Sequence, residues 1–279
     1  MTELMLISAC GALVGFSLAL TGGGGSNFAV PLLVFVIGVT PSQAMPLSLA
    51  AVAIIAALGA VHAIRQSLIH WSPTLTFAGG GMLGAPLGLK LAHGIPEQTL
   101  LTGFAVLALG VGASLAWRAW RRPEETSVVR ALHEAGQEPD GLMCRASADG
   151  KLRFSAPCSL VLALTGVLTG VLAGFFGVGG GFLIVPALML ITRMGIHHAV
   201  ATSLVVIALT GLTGAAYAMA EGRILWPVLW PFVAGGVLAM LAGRGLAMRL
   251  SGPRLQQLFA VAIVLMALFM LVRTFLLGA

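Results

Sequence analysis

The stretch TGGGGSN, residues 21–27, lies in a strongly apolar chain and is followed at once by the apolar run FAVPLLVFVIG. Each glycine in a helix interior costs roughly 1 kcal/mol relative to alanine, so four in succession predict an interruption of the helix. The chain has 279 residues, of which 58% are hydrophobic and 9% are charged, whereas a soluble domain is about 25% charged. Apolar runs of about 20 residues recur and predict transmembrane helices. We therefore expect an all-α, polytopic membrane protein.

Equivalent residues recur along the chain at a fixed offset of 155 positions, the difference between Gly22 and Gly177. The offset persists without gaps through both apolar regions, which indicates an internal duplication. We expect a first membrane repeat in residues 1–120 and a second in residues 158–279. The matched positions include Gly11 with Gly166, Gly15 with Gly170, Gly22 with Gly177, Gly24 with Gly179, Gly25 with Gly180, Pro31 with Pro186, Ser48 with Ser203, and Trp71 with Trp226.

The two repeats are separated by residues 121–157, RRPEETSVVRALHEAGQEPDGLMCRASADGKLRFSAP, a polar stretch of mixed charge. Because it contains no long apolar run, we expect an extramembrane linker. Asp149 and Gly150 form a dipeptide that favours a tight turn, and they predict a small hairpin within the linker.

Each repeat contains five apolar segments, of which the second is unusually short. About 12 residues cannot cross ~30 Å of hydrocarbon at ~1.5 Å per residue. We expect about 8–10 membrane helices, with one short or re-entrant segment in each repeat that glycines interrupt. The segments are 4–20, 28–39, 43–64, 73–92 and 98–119 in the first repeat, and 159–176, 183–194, 198–219, 228–247 and 255–274 in the second.

The path of the short segment decides how the repeats are oriented. If it returns the chain across the membrane, every Lys and Arg except Lys90, Arg223 and Arg273 lies on one side. If it does not return the chain, the basic residues are divided less cleanly. Because basic residues collect in cytoplasmic loops, the first arrangement is favoured. It predicts inverted repeats, a cytoplasmic linker and both termini outside.

The glycine stretches, TGGGGSN and its counterpart GVGGG at residues 177–181, have two interpretations. Glycines can serve close helix packing alone. Matching Gly-interrupted segments in inverted repeats are instead typical of a transporter site near the membrane midplane. A helix that begins after such a break presents N–H groups and the positive end of its dipole to an anion, and glycine lets the anion approach the backbone closely. Because both repeats carry the stretch before the same proline, we favour an anion site.

The stretch GVLAGFFGVGGGFLIVPAL at residues 170–188, together with HHAVATSL at 197–204, resembles the TauE/SafE sulfite exporter family. The first repeat carries weaker forms, GFSLALTGGGGSNFAVPLL and SQAMPLSL, and the resemblance excludes the linker. It implies a secondary transporter that exports a small sulfur-containing anion, sulfite or an organosulfonate, across the bacterial inner membrane. It indicates a substrate class and no one compound, and a homodimer is compatible with it.

The resemblance places the anion site at the two glycine stretches and in the helix that follows each of them. The first repeat departs from the second at Ser26 and Asn27, where the second has Gly181 and Phe182, so the two sides of the site are unequal. The expected substrate-binding residues are Gly22, Gly24, Gly25, Ser26, Asn27, Ser48, Gly177, Gly179, Gly180, Gly181, Thr202 and Ser203.

A few further polar residues lie in or beside the apolar segments. His62 and Tyr217 occupy equivalent positions and, with Arg65, are candidates for a transport pathway. The alternatives are packing of His62 and snorkelling of Arg65 to the interface. No carboxylate falls in a predicted membrane interior, which disfavours a buried proton relay. His197 and His198 suggest no third metal ligand, so we expect no metal site.

Composition and motifs argue against several other functions. The net charge of +6 agrees with the basic cytoplasmic loops of a membrane protein, and no patch of basic and aromatic residues points to nucleic acid. Neither HExxH, CxxC nor paired carboxylates are present, so we expect neither an enzyme nor a cofactor. Three alternatives to a transporter stay open: an anion channel, a membrane redox protein, and an assembly factor without transport.

Overall fold

The computed structural model describes residues 2–121, 145–146, 152–153, 156–192, 196–247, 261 and 263–273, and nearly all of these residues are helical. A short 3₁₀ helix, Gly24–Phe28, directly precedes the second α-helix. The α-helices of the described residues are α1 (Thr2–Thr21), α2 (Ala29–Phe35), α3 (Pro41–Arg65), α4 (Trp71–Ala92), α5 (Glu97–Arg121), α6 (Ala156–Phe176), α7 (Gly181–Thr192), α8 (Ile196–Ala220), α9 (Trp226–Ala247) and α10 (Ile263–Arg273).

Helix length and composition agree with a polytopic membrane protein. Five helices, α1, α3, α6, α8 and α9, are long and apolar enough to cross a membrane. The 22 residues of α4 and the 25 of α5 also span about 33 and 38 Å at 1.5 Å per residue. By contrast α2 has 7 residues and α7 has 12, so neither can cross ~30 Å of hydrocarbon alone. The predictions of an all-α polytopic fold and of short second segments are confirmed.

The helix bounds follow the same offset as the sequence. Helix α8 begins and ends 155 residues after α3, and α9 does the same relative to α4. In the linker, Arg145 pairs with Arg153 and Ala146 with Leu152 in an antiparallel ladder, which agrees with the predicted hairpin. Its expected turn residues, Asp149 and Gly150, lie outside the described residues. The remaining linker residues between α5 and α6 lie outside the described residues.

Two equivalent seams of small residues join the halves. In the first seam α1 packs on α9, and in the second α6 packs on α4. A Cβ added at Gly15 would meet the carbonyl of Gly236, and one at Gly170 would meet the carbonyl of Gly81. Residue numbers rise together along both helices of each seam, so the paired helices are parallel. Further close approaches to backbone are Gly11 to Phe232, Gly235 to Ser8, Gly166 to Phe77, Gly80 to Ala163, Gly84 to Val167, Gly88 to Val171 and Gly174 to Ala85.

Helices α3 and α8 form the centre of the molecule. In the most apolar 18-residue stretch of α3 and of α8, 67% and 72% of the residues are buried, whereas in that of α1 only 28% are. Along their contact, residue numbers rise in one helix as they fall in the other: Gly59 approaches Leu204, whereas Gly211 approaches Ala53 and Leu49. The two helices are therefore antiparallel. Large apolar side chains are exposed on the outer helices, among them Leu13, Leu83, Leu164 and Leu238.

Adjacent glycines of α4 allow a direct test of the second seam. Gly80 is buried against the carbonyl of Ala163, whereas a Cβ at Gly79 would meet nothing within 4 Å. We expect Gly80→Ala to lower the stability by about 1–3 kcal/mol, because neither backbone can yield to the methyl group. We expect Gly79→Ala to be neutral or to stabilise the helix by up to about 1 kcal/mol.

Thermal unfolding of the two purified variants in detergent compares them directly. A seam that depends on backbone contact requires a clearly lower Tm for Gly80→Ala than for Gly79→Ala. Equal Tm values would contradict it.

Candidate functional site

The first break in the helices begins where α1 ends. Gly22 has a φ of +71° and its N–H still donates to the Leu18 carbonyl at 2.8 Å. The chain then folds back on the last turn of α1, because a Cβ at Gly25 would meet the Leu18 nitrogen. The Ser26 hydroxyl closes the turn by donating to the Gly23 carbonyl at 2.8 Å. Hence the four glycines allow a tight reversal between α1 and the 3₁₀ helix, whose first two residues are Gly24 and Gly25.

The second break lies between α6 and α7. Gly177, Gly179 and Gly180 have φ values of +70°, +70° and +66°, a left-handed conformation that costs about 1–2 kcal/mol for other residues. The Gly180 carbonyl accepts the N–H groups of Leu183 at 2.9 Å and Ile184 at 3.1 Å. Helix α7 therefore starts immediately after the left-handed glycines, with its first turn at the break.

The two breaks meet. The backbones of Gly23 and Gly181 are in direct contact, so that a Cβ on either would collide with the other. A Cβ at Gly179 would lie 3.3 Å from Val52 of α3 and 3.6 Å from Ile207 of α8. Val52 and Ile207 are each near the middle of a 25-residue helix. The breaks thus come together beside the central part of α3 and α8.

Each break also packs on the central helix of the other half. Gly177 lies against Met45 of α3, and Gly22 lies against Val200 of α8, which are equivalent contacts at the offset of 155. On α8 the Ser203 hydroxyl donates to the Gly22 carbonyl at 3.1 Å and to the Val200 carbonyl at 2.8 Å. Residues of both halves therefore enclose each break.

Three buried polar side chains around the breaks have no hydrogen-bond partner: Asn27, Ser48 and Thr202. Asn27 is 3% exposed, and the two hydroxyl residues are fully buried. An unpaired buried polar group costs about 1–3 kcal/mol, so such groups are rare in folded proteins. The other buried threonines in the described part of the chain, Thr74, Thr169, Thr192 and Thr210, each donate to the carbonyl four residues earlier.

The environment of these groups is neutral. Among the described residues, no buried polar side chain carries a charge, and no group of three or more His, Cys, Asp and Glu is arranged to hold a metal ion. Asn27 also lines a cavity of about 10 Å³ between α5 and α10, whose other walls include Phe104, Met266 and Met270. That cavity is about the size of one water molecule.

The structure places most of the expected site residues together and leaves three apart. The glycines of both stretches, with Ser26, Asn27, Ser48, Thr202 and Ser203, lie at or beside the meeting breaks. His62 and Arg65 lie in the last turn of α3, and Tyr217 lies in the last turn of α8, away from the breaks. His62 is about 15 Å along α3 from Val52, is exposed, and contacts Gln66 at 3.0 Å. Their role in a pathway stays a prediction.

Two polar clusters at the helix ends could not be found from the sequence, because their members are far apart along the chain. His198 Nδ1 lies 2.8 Å from the Leu68 carbonyl, and the centre of its ring lies 4.9 Å from that of His70, with the two rings tilted at 45°. The pKa of His70 is lowered by burial and, to a smaller extent, by His198. In the other cluster Glu221 contacts Arg223 at 3.0 Å and His93 at 3.4 Å.

Comparison with known proteins identifies the group to which this chain is related. The sequence profile of the sulfite exporter TauE/SafE family matches residues 7–270. The chain belongs to the TauE/SafE family. It is therefore a multi-pass membrane transporter, and the resemblance inferred from the glycine motifs is confirmed. The match includes both breaks and both seams.

Several TauE/SafE relatives are known by sequence. A probable membrane transporter protein of Xylella fastidiosa is 33% identical over 275 residues, which cover 98% of this chain and 96% of that protein. The probable membrane transporter protein YunE of Bacillus subtilis is 26% identical and covers 80% of each chain. No solved structure shows significant similarity to the chain.

The unpaired hydroxyl of Thr202 leads to a prediction about stability. We expect Thr202→Val to raise the free energy of unfolding by about 1–3 kcal/mol, because it removes a buried group that lacks a partner. Thr210→Val is the matched control on the same helix. It removes a hydroxyl that donates to the Val206 carbonyl at 2.8 Å, and we expect no gain in stability from it.

Thermal unfolding without added anions measures both variants. If Thr202→Val were as destabilising as Thr210→Val, the Thr202 hydroxyl would have a partner and would not be available to a ligand.

Proposed function

We propose that this protein is a secondary transporter that exports a small sulfur-containing anion, sulfite or an organosulfonate, across the bacterial inner membrane. The proposal rests chiefly on the meeting of two glycine breaks beside unpaired, buried hydrogen-bond donors. A membrane scaffold gains nothing from such groups. Family membership supports the transporter class, and the description of the family as sulfite exporters supports the substrate class.

The anion is bound between the two breaks, near the membrane midplane. Helix α7 starts at Gly181 and directs its N-terminal N–H groups and the positive end of its dipole toward the first break. The absence of side chains at Gly23 and Gly181 lets an anion approach the backbone closely. Ser26, Asn27, Ser48, Thr202 and Ser203 supply further polar groups. Because Gly23 and Gly181 are in contact, the breaks must separate to admit a substrate, which favours a transporter over an open channel.

The two halves are inverted relative to each other, with the linker in the cytoplasm and the termini outside. The antiparallel contact of the equivalent helices α3 and α8 supports the inversion, and the distribution of Lys and Arg supports the assignment of the two sides. A rotation that superimposes one of these helices on the other reverses its direction. If both cross the bilayer, the axis of that rotation lies in the membrane plane, as in other inverted-repeat transporters.

The membrane potential drives export. An inside-negative potential favours departure of each negative charge by about 2.3 kcal/mol per 100 mV. Among the described residues no Asp or Glu is buried, so they offer no carboxylate relay for protons. Transport then occurs as a uniport, and its rate depends on the potential.

Flux through the purified protein tests the transport function. In proteoliposomes of known orientation with a clamped potential, we expect saturable flux of sulfite and of a C2 sulfonate that rises as the potential favours their exit. Chloride and sulfate are the comparison anions. Absence of flux for every anion through folded protein would overturn the proposal, and flux independent of the potential would overturn the uniport.

A matched pair of glycine variants tests the location of the site. Gly179→Ala places a methyl group where the breaks meet α3 and α8. Gly38→Ala imposes the same left-handed strain, since Gly38 has a φ of +81°, but its Cβ would meet nothing within 4 Å. We expect Gly179→Ala to reduce flux at least tenfold at equal amounts of folded protein, and Gly38→Ala to retain it. Equal flux in the two variants would place the anion elsewhere.

Equivalent loop residues test the inverted orientation. Ser67 follows α3 and Gly222 follows α8, they are related by the offset of 155, and both are exposed. After the native cysteines are replaced by serine, we expect a membrane-impermeant maleimide to label Ser67→Cys only from the cytoplasmic side and Gly222→Cys only from outside. Labelling of both from the same side would show parallel repeats and would contradict the proposed orientation.

A further inference from the structure

We infer that the site between the breaks accepts an anion of one negative charge and rejects anions of two, so that sulfite is carried as hydrogensulfite. The inference rests on the proposed anion transport and specifies the charge state of the substrate. It derives from the chemistry of the unpaired groups and from the charges around them.

The unpaired groups lie on three different elements that form or contact the breaks. Asn27 lies in the 3₁₀ helix of the first break, next to Ser26, whose Cβ is 3.9 Å from a Cβ built at Gly179. Ser48 shares one face of α3 with Met45 and Val52, because these positions are three and four residues apart, and both neighbours contact the second break. Thr202 precedes Ser203, whose hydroxyl bonds the Gly22 carbonyl. Ser48 therefore faces the second break, whereas Asn27 and Thr202 lie on elements that form or contact the first break.

Ser48 and Ser203 are equivalent residues of the two repeats, and only Ser48 lacks a hydrogen-bond partner. Ser203 donates to the Gly22 carbonyl of the first break. Ser48 is its equivalent on α3, is equally buried, and has no partner. A serine hydroxyl at this position of the repeat can therefore donate to a backbone carbonyl, as Ser203 does. The unsatisfied hydroxyls of Ser48 and Thr202 are therefore available to a bound molecule.

The three side chains recognise an anion through neutral hydrogen bonds. The Asn27 amide can donate two hydrogen bonds, and the hydroxyls of Ser48 and Thr202 can donate one each. These suffice for the oxygens of a sulfonate or a hydrogensulfite. The Asn27 Oδ1 is also unpaired and can only accept. Hydrogensulfite has a hydrogen to donate to it, whereas a sulfonate and the sulfite dianion have none, so this contact favours hydrogensulfite in particular.

The surroundings determine the charge that can be bound. Among the described residues, the arginines near the central helices are Arg65, the last residue of α3, and Arg223, which follows α8, and neither is buried. The cost of removing an ion from water rises with the square of its charge in a continuum description, so a dianion loses about four times as much hydration energy as a monoanion. Neutral donors and one helix N-terminus offset that loss for a single charge more easily than for two.

The pH dependence of two substrates tests the inference. Sulfite changes from a monoanion to a dianion near neutral pH, whereas a C2 alkanesulfonate keeps one charge throughout. In proteoliposomes with the leak of protein-free vesicles subtracted, we expect initial sulfite flux at fixed total concentration to fall about tenfold per pH unit once the dianion predominates. We expect the flux of the alkanesulfonate to change less than twofold over the same range, and sulfate to be excluded throughout.

Each outcome bears on a different claim. Sulfite flux that stays constant or rises as the dianion accumulates, or transport of sulfate, would overturn the single-charge rule and leave the transporter intact. Parallel loss of sulfite and sulfonate flux at high pH would also overturn it, because the protein and not the substrate would then be titrating. If neither anion moved at any pH, the proposed function itself would fail.

A substitution at Asn27 tests whether this unpaired side chain takes part in anion binding. Asn27→Asp keeps the shape of the side chain and adds a negative charge, so we expect it to reduce sulfonate flux at least tenfold. Thr210→Val is the control on α8, because Thr210 is already bonded within its helix. Folded protein is verified by size-exclusion chromatography and Tm. Unchanged sulfonate flux in a folded Asn27→Asp protein would exclude Asn27 from the site.

Discussion

The close approach of glycine backbones is the constraint on which this structure depends. In lipid, apolar side chains gain little by leaving the bilayer for a helix interface, so association relies on van der Waals contact and hydrogen bonds. The seams between α1 and α9 and between α4 and α6 are built on such contacts, and so is the junction of Gly23 with Gly181. A single methyl group at these positions would meet backbone atoms, which cannot rotate away as a side chain can.

The seams also determine which parts of the protein can move together. Each seam joins a helix of one half to a helix of the other half, so the repeats of the sequence are interlocked in space. If the seams stay closed while the breaks separate, α1 must move with α9, and α4 must move with α6. The moving bodies would then be mixed pairs of helices and not the two repeats. The central pair, α3 and α8, provides the surface on which the breaks rest.

The site combines two costs that packing elsewhere must offset. The left-handed glycines of the second break interrupt the helix, and the side chains of Asn27, Ser48 and Thr202 make no hydrogen bonds. Polar groups without partners are expensive at membrane depth, yet they are what a dehydrated anion requires. The buried threonines that bond within their own helices show how readily the same chemistry is satisfied. The proposed substrate would supply the missing partner.

The sequence by itself determined the helices, their repetition and the positions of the breaks. Length, apolarity and glycine content act locally, so the bounds of α3 and α8 and the left-handed glycines near Gly179 follow from residues close together in the chain. Only the tertiary structure decided that the two breaks touch, that α3 and α8 are antiparallel neighbours, and that Ser203 is bonded while Ser48 is not. Whether a hydroxyl finds a carbonyl depends on the few ångströms between elements far apart in the chain, and these distances exist only after the helices have packed.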